Sequence, residues 1–517
     1  MQAVKYSQGG MRVALRQKLL SVKEGRDERQ YADPSRVVIK ESVTDRLYRR
    51  ATIDALPDNV LLETFDFYLG EDDADKFMHN YNYDVWESLV HVCRRWRSII
   101  FASPRRLDLK LYCTRIRLKM LNIWPALPIV IVVKGLDLEA DVADIITALK
   151  QHSHRVCRIY YCRGHSQNSS VKDDFQEGFA AINNPFPALT SLDLTSFGKN
   201  VPVLPDSFLG GSAPRLRSLL LDGIPYPSMG KLLSSTTDLV RLSLRHVPHS
   251  GYIPPETFVP CLSVLPRLKS LELGFRYPQS RAHRANRHPP PLTRVVFPSL
   301  TSLDFSGDIE YLEDILCHIE APVLNKCYFC FFNQRVFDAP LLGHFIRRTE
   351  TFMTIHRARV EFFSFAVWIT LSGREMMVTS DREALQLEIT CEPFGWQLSA
   401  VAQVSKSLLS SLPNLESLEI TVAHKDRQGE IEVIQWREFL HPFTSVRNVT
   451  LEFENSIQLV ALALQELARD RVTEVLPALQ HLFLRTYGWQ PSGPVKGAIE
   501  QFITTRRLYG HPVTVHY

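Results

Sequence analysis

The chain lacks any apolar run of the roughly 20 residues that a membrane helix requires. The longest run, Ile129 to Val133 with Ala126 and Leu127 before it, is far shorter and reads as a buried strand. Residues 1–10 are polar, with no apolar core of a secretory signal. Cysteine is scarce and odd in number, nine in 517 residues. That excludes a disulfide framework and fits the reducing cytosol or nucleus. The one close pair, Cys327-x-x-Cys330, has no second CxxC to complete a zinc site, so it reads as two thiols in an apolar strand. Neither sign of charge dominates: 60 basic side chains stand against 56 acidic ones, for a net +4. Charge alone therefore gives no case for nucleic acid.

Catalytic signatures are also missing. There is no phosphate-binding Gly-x-x-x-x-Gly-Lys loop, no Gly-x-Ser-x-Gly, no His-Glu-x-x-His and no Gly-x-Gly-x-x-Gly. The 17 histidines show no ligand spacing, and His152 with His154 reads as a solvated pair. Asp72, Asp73 and Asp75 have the charge of a calcium loop without its glycine or closing glutamate. The Asn168-Ser169-Ser170 sequon matters only in a secreted chain. No bond chemistry, metal or cofactor is expected. A composition of 45% hydrophobic and 22% charged residues nevertheless belongs to a folded protein.

What is present in quantity is leucine at fixed spacing. The unit x-Leu-x-x-Leu-x-Leu, often after a proline, occurs at Leu189/Leu192/Leu194, Leu216/Leu219/Leu221, Leu239/Leu242/Leu244, Leu268/Leu271/Leu273 and Leu300/Leu303/Phe305. A weaker copy has Leu324/Cys327/Phe329. The pattern returns at Leu415/Leu418/Ile420, Val446/Val449/Leu451 and Leu479/Leu482/Leu484. Neighbouring copies start roughly 23 to 33 residues apart, close to the leucine-rich-repeat period. Leu-x-Leu alternates, so both leucines leave a strand on the same face. One unit alone buries nothing, and stacked units share a core. Residues 228–236, 311–319 and 457–469 have helical spacing between strands. The expected fold class is α/β, a curved solenoid with parallel strands on the concave face and helices on the convex face. Residues 341–411 are read as degraded repeats, with a strand pair over 357–371, a strand over 385–389 and a helix over 396–412. Residues 495–508 and 512–516 read as a closing helix and strand, and residues 107–112 as an early strand.

Ahead of the repeats, Leu56-Pro57-Asp58-Asn59-Val60-Leu61-Leu62-Glu63-Thr64-Phe65 opens an amphipathic helix, and Pro57 suits its first position. Trp86, Leu89, Val90, Cys93, Trp96 and Ile100 fall three or four apart and predict a second helix with one apolar face, stopped at Ser103-Pro104. Helices this short depend on packing elsewhere, so part of the surface is expected to face the rest of the chain or a partner.

The Leu-Pro opening and the Val92-Cys93-Arg94-Arg95-Trp96-Arg97 tail together resemble an F-box. The acidic insert at 71–75, followed by Asn80-Tyr81-Asn82-Tyr83, makes the inter-helix loop longer than a minimal F-box needs. An F-box-like pair before leucine-rich repeats resembles the leucine-rich-repeat class of F-box proteins, and the style is similar to the large fungal sets of these. The resemblance implies three regions: a basic, loosely docked arm over 1–50, an F-box over 51–104, and a leucine-rich-repeat solenoid with a C-terminal cap over 105–517. It implies the substrate-recognition subunit of an SCF-type (Skp-cullin-F-box) ubiquitin ligase, cytoplasmic or nuclear. The F-box would dock a Skp-type adaptor, held by a cullin that carries a RING subunit, while the repeats hold a substrate protein. The chain itself would be non-catalytic and would act by effective concentration. By the family motif the adaptor-facing residues are Leu56, Pro57, Val60, Leu61, Phe65, Val92, Cys93 and Trp96, with Trp96 the expected hot spot. Some of these must instead hold the helices together, as Trp86 and Ile100 do on the alternative reading. The other functional reading is a repeat scaffold that recruits no ligase.

Two surface features complete the sequence reading. The run from Arg276 to Pro291 carries Arg276, Arg281, Arg284 and Arg287, guanidinium forks suited to carboxylate or phosphate on a client. The alternative is a long solvated loop. The arm over 1–50 is either a docking or targeting segment or a solvated tail. A nucleic-acid-binding solenoid would need a basic concave face, whereas its strand positions include Asp193, Glu272, Asp304 and Glu419.

Overall fold

The computed structural model describes residues 56–69, 85–113, 126–134, 139–163, 181–196, 203–278, 294–334, 339–373, 383–392, 394–409, 412–423, 433–470, 474–486 and 491–517, with a few single positions between them. The arm over 1–50, the acidic insert and residues 80–83 lie outside this set. The chain divides into two compact units, Met1–Tyr112 with Lys119–Pro128, and Cys113–Leu118 with Ile129–Tyr517.

In the first unit three helices form, Asp58–Leu69, Val85–Val90 and Arg94–Ala102. Pro57 stands just before the first, and its carbonyl accepts the N–H of Val60 and of Leu61 at 3.1 Å each. A residue with no N–H to lose thus supplies the first acceptors of the helix. The single helix expected across 86–100 is broken in two. Cys93 is extended (φ −155°, ψ 170°), and its Sγ accepts the N–H of Trp96 at 3.4 Å. The cysteine acts as an N-cap and restarts the helix. Trp86, Leu89, Val90, Trp96 and Ile100 are all buried across the break. Ser103 ends the last helix, donating its N–H to Ile100 O. Residues 107–112 do not form the expected strand. Leu107 N–H returns to Ser103 O, Leu109 N–H to Pro104 O, and Asp108 lies at φ 45°. Local turn bonds consume the backbone groups that a strand would offer, so extended structure begins only at β1 (Leu111–Cys113).

In the second unit β2 (Ile129–Lys134), β3 (Val156–Arg163), β4 (Ser191–Ser196), β5 (Ser218–Asp222), β6 (Arg241–Val247), β7 (Ser270–Phe275), β8 (Val295–Val296), β9 (Ser302–Gly307), β10 (Ile319–Glu320), β11 (Lys326–Phe331), β12 (Arg357–Phe362), β13 (Ala366–Ser372), β14 (Glu383–Thr390), β15 (Ser417–Val422), β16 (Asn448–Glu452), β17 (His481–Arg485) and β18 (Thr514–His516) follow in sequence. The main sheet runs β2-β3-β4-β5-β6-β7-β9-β11-β14-β13-β12-β15-β16-β17-β18, while β8 and β10 pair separately. The register aligns the repeat leucines. Leu192 faces Leu219, then Leu242, Leu271, Leu303 and Cys327; Leu194 faces Leu221, then Leu244, Leu273, Phe305 and Phe329. All are buried. Each such side chain contributes roughly 1.5–3 kcal/mol on burial. The register cannot slip by one residue without turning every leucine to water.

Residues 341–411 depart from the expected run of parallel strands. The strand pair over 357–371 forms as a tight hairpin, in which Phe363 N–H donates to Ala366 O at 2.9 Å. A turn that short leaves β13 antiparallel to β12 and to β14. The chain therefore enters the sheet two places ahead, at β12, and returns through β13 to β14, which pairs with β11. The apolar row continues unbroken through the reversal: Phe329 faces Leu387, which faces Ile369, which faces Val360, which faces Ile420.

The closing helix, Gly493–Leu508, and β18 form as the sequence suggests. They carry one feature the pattern did not show. Arg506 is fully buried, and its guanidinium reaches the carbonyls of Val475, Pro477 and Leu479 at 3.3–3.4 Å. Its removal leaves buried carbonyls without donors. Arg506→Ala is expected to lower the unfolding free energy by about 2–4 kcal/mol, read from the urea midpoint. An unchanged midpoint would contradict this role.

Candidate functional site

In the first unit the helix Asp58–Leu69 presents two different faces. Leu61 and Phe65 are buried, and the Phe65 ring lies 4.8 Å from that of Trp96. Pro57, Val60 and Phe67 lie three and seven residues apart, so they share a neighbouring face, and all three are exposed, Val60 by 39%. Leu56, Val92 and Cys93 are half-buried. The expected hot spot turns inward. Trp96 is only 2% exposed, and its indole N–H finds no acceptor among the described residues. Trp96, Leu61 and Phe65 are buried and hold the helices together. These three follow the alternative reading, side chains that hold the helices together: packing the Phe65 and Trp96 rings against each other is how such short helices reach stability.

The arginines of the tail have internal roles that spacing alone did not reveal. Arg95 reaches across to the start of the first helix, donating from Nη2 to Leu56 O and to Asp58 Oδ1 at 2.6 Å each. Arg97 donates to Val90 O at 3.0 Å and closes the end of the Val85–Val90 helix. Trp86 Nε1 donates to Lys110 O at 3.0 Å. The sequence signal for Arg95 was its pairing with the Leu-Pro-Asp opening, visible only once the helices are placed side by side.

In the second unit the other face of the sheet is polar. Its register row reads Tyr160, Asp193, Leu220, Ser243, Glu272, Asp304 and Tyr328 across β3 to β11. Glu272 accepts from Ser243 Oγ and from Arg245 Nε, both at 2.6 Å, and Asp222 lies 2.7 Å from His246 Nδ1. Burial pushes the Asp193 carboxyl up to about 6, with Asp222 adding to the effect and Thr195 and Arg245 opposing it. Burial, reinforced by Glu272 and opposed by Lys326 and Arg245, does the same for Asp304, also to about 6. Further along, Arg359 lies 2.9 Å from Glu419, and Arg485 lies 2.6 Å from Glu452.

Other candidate groups are dispersed. Cys327 points into the apolar row, while Cys330, three residues on, lies on the opposite face, so the pair does not converge. Among the described residues no group of three or more His, Cys, Asp and Glu could hold a metal ion. None of the described helices is long and apolar enough to cross a membrane. Arg276 follows β7 and donates to Gly198 O at 3.3 Å; Arg281, Arg284 and Arg287 lie outside the described residues.

No family model matches the sequence, and no curated protein matches it. Among solved structures, the leucine-rich repeat-containing protein LegL7 from Legionella pneumophila is similar to 71% of this chain and 96% of its own length, at 15% identity and a TM-score of 0.26. A likeness that loose adds little. The leucine-rich-repeat type of fold, a long and mostly parallel sheet alternating with helices, is carried by the register itself.

Two outcomes follow from these sites. Arg95→Ala removes both the Leu56 and the Asp58 contacts, whereas Asp58→Ala removes one that is largely exposed. The first is expected to lower stability by about 1–2 kcal/mol and the second by under about 1 kcal/mol, read by urea denaturation. Equal effects would deny Arg95 its second role. The second outcome concerns pH. Asp193 and Asp304 hold protons more tightly in the fold than the ordinary aspartate value of about 3.9 allows. Their protonation therefore stabilises the fold fully below about pH 4, and that contribution is lost as pH rises through about 6. The double variant Asp193→Asn, Asp304→Asn is expected to lose less of its urea midpoint between about pH 5 and 7 than the parent. Parallel losses would refute it.

Proposed function

We propose that this chain is the substrate-recognition subunit of an SCF-type ubiquitin ligase, with the helices of the first unit docking a Skp-type adaptor and the repeats holding a client protein. The observation that carries the reading is the apolar edge made by exposed Pro57, Val60 and Phe67 with half-buried Leu56. It is an apolar surface left over after Leu61, Phe65 and Trp96 have satisfied the helices' own packing. Exposed apolar surface bounded by charge marks interaction sites, and here Asp58, Glu63 and Asp66 bound it. The reading needs no catalytic group from this chain. The adaptor would bring cullin and RING subunits, and the client would be held near the charged ubiquitin.

The burial of Leu61, Phe65 and Trp96 favours one other reading, a repeat scaffold without ligase recruitment, because it takes three of the eight residues the family motif implies out of the contact set. Capture of the adaptor separates the two. Leu56→Ala with Pro57→Ala, or Val60→Glu alone, is expected to abolish co-purification with a Skp-type adaptor and leave the circular dichroism spectrum unchanged. Trp96→Ala is expected to act differently, lowering stability by about 3–5 kcal/mol. If the parent chain captures no adaptor, the scaffold reading stands.

A further inference from the structure

We propose that His481 and His516, on β17 and β18, form a binding site for a divalent transition-metal ion, copper(II) first and then nickel(II) or zinc. The proposal stands independently of the ligase reading.

The two histidines are 35 residues apart in the chain, too far for spacing to connect them. Register brings them together. β17 and β18 pair in parallel, with His481 beside Thr514 and Phe483 beside His516. Side chains two apart on a strand share a face, and the buried Leu482 and Leu484 occupy the opposite one. His481, Phe483 and His516 therefore stand together on the polar face. β18 is the terminal strand in the sheet order. His481 is half-buried and His516 exposed, so the pair opens to solvent.

His481 Nδ1 lies 3.2 Å from His516 Nε2. Imidazole nitrogens coordinate such ions at about 2.0–2.1 Å, and two of them in neighbouring positions around one ion lie roughly 2.9–3.4 Å apart. The observed separation falls inside that interval. As the pair stands, one of the two facing nitrogens carries the hydrogen that joins them. Coordination moves that hydrogen to the other nitrogen of the same ring, with no net gain or loss of a proton, and frees both lone pairs. The Phe483 ring is stacked on that of His516, with centroids 4.5 Å apart and planes 14° apart, and holds this donor in place. It does so as an outer-shell group orients a metal ligand. His481, tilted 37° to Phe483 at 6.1 Å, is the ring left to turn until both lone pairs meet at one point.

The donors select the ion. Imidazole suits copper, nickel and zinc, and the general affinity order among these puts copper(II) first. Calcium and magnesium require oxygen ligands. The register positions around the pair offer no carboxylate: Asn448 and Thr514 flank His481, and Thr450 lies beside Phe483. Glu452, further along β16, is engaged by Arg485 at 2.6 Å. Two protein donors are fewer than the four of a structural zinc site, so water completes the shell and the ion exchanges. An ion held by both rings ties β18 to β17, which otherwise share three residues of register. It binds only where both strands are in place, and so it stabilises the folded chain.

The test titrates copper(II) into the full chain and follows electron paramagnetic resonance together with the urea midpoint. The parent is expected to show bound copper with nitrogen couplings from imidazole, and a midpoint that rises as copper is added. His481→Asn and His516→Asn are each expected to weaken this binding by about tenfold or more and to remove the rise. Phe483→Leu keeps both donors and is expected to weaken it by about tenfold. His246→Asn, whose ring lies beside Asp222, is expected to bind as the parent does. Excess calcium or magnesium should displace none of the copper. The metal-free midpoint of each variant shows that it folds. Equal copper uptake by the parent and by the double variant His481→Asn, His516→Asn, or a parent midpoint that copper leaves unchanged, overturns the proposal.

Discussion

Everything in the second unit depends on one constraint: no repeat can bury its leucines alone. A strand of five or six residues with two inward apolar side chains is unstable until a neighbour lies beside it in register. The match of Leu192 to Leu219 to Leu242 to Leu271 to Leu303 is therefore the condition for the strands to exist at all. The same condition explains what is free to vary. Tyr160, Asp193, Leu220, Ser243 and Glu272 occupy a single row with no common chemistry, because that row answers to whatever lies above the sheet and not to the fold.

The reversed insertion tests how strict the constraint is. The chain abandons parallel order at β12, and the apolar row carries on through Leu387, Ile369 and Val360 as though no reversal had occurred. Side-chain alternation is the same in parallel and antiparallel strands, so the core accepts either direction if parity is kept. What changes is the rim. A helix crossover hides its strand end, whereas a hairpin turn exposes one, and Phe365 is the residue this particular turn exposes.

How far the sequence could be read follows from the same distinction. Spacing found the leucine strands, the strand pair over 357–371 and the closing helix, because periodic burial leaves a periodic trace. It missed the reversed order of β12 to β14, since alternation carries parity and not direction. It also placed a strand over 107–112, where Leu107, Leu109 and Leu111 alternate but the backbone bonds return to 103–105. In the first unit the motif residues were recognisable, yet their division into inward and outward sets was not. Leu61 and Val60 are neighbours of similar chemistry, and only the position of Trp96 decides which of them is buried. Arg506 and Arg95 were illegible for a related reason: their partners are backbone carbonyls, which every residue carries.

That division also bears on how a short helical module can be stable. Three helices of 12, 6 and 9 residues can spare few large rings for a partner. Phe65, Trp86 and Trp96 are buried and stabilise the module itself, so the outward edge is left to Leu56, Pro57 and Val60 with a single ring, Phe67. Proline and β-branched valine lose little conformational entropy when covered, and Arg95 holds the turn that carries them through Leu56 O and Asp58. A preorganised edge of modest side chains can bind well because little remains to be ordered. On this view the arginine of the tail and the Leu-Pro opening, though 39 residues apart, form one device: the first fixes the geometry that the second presents.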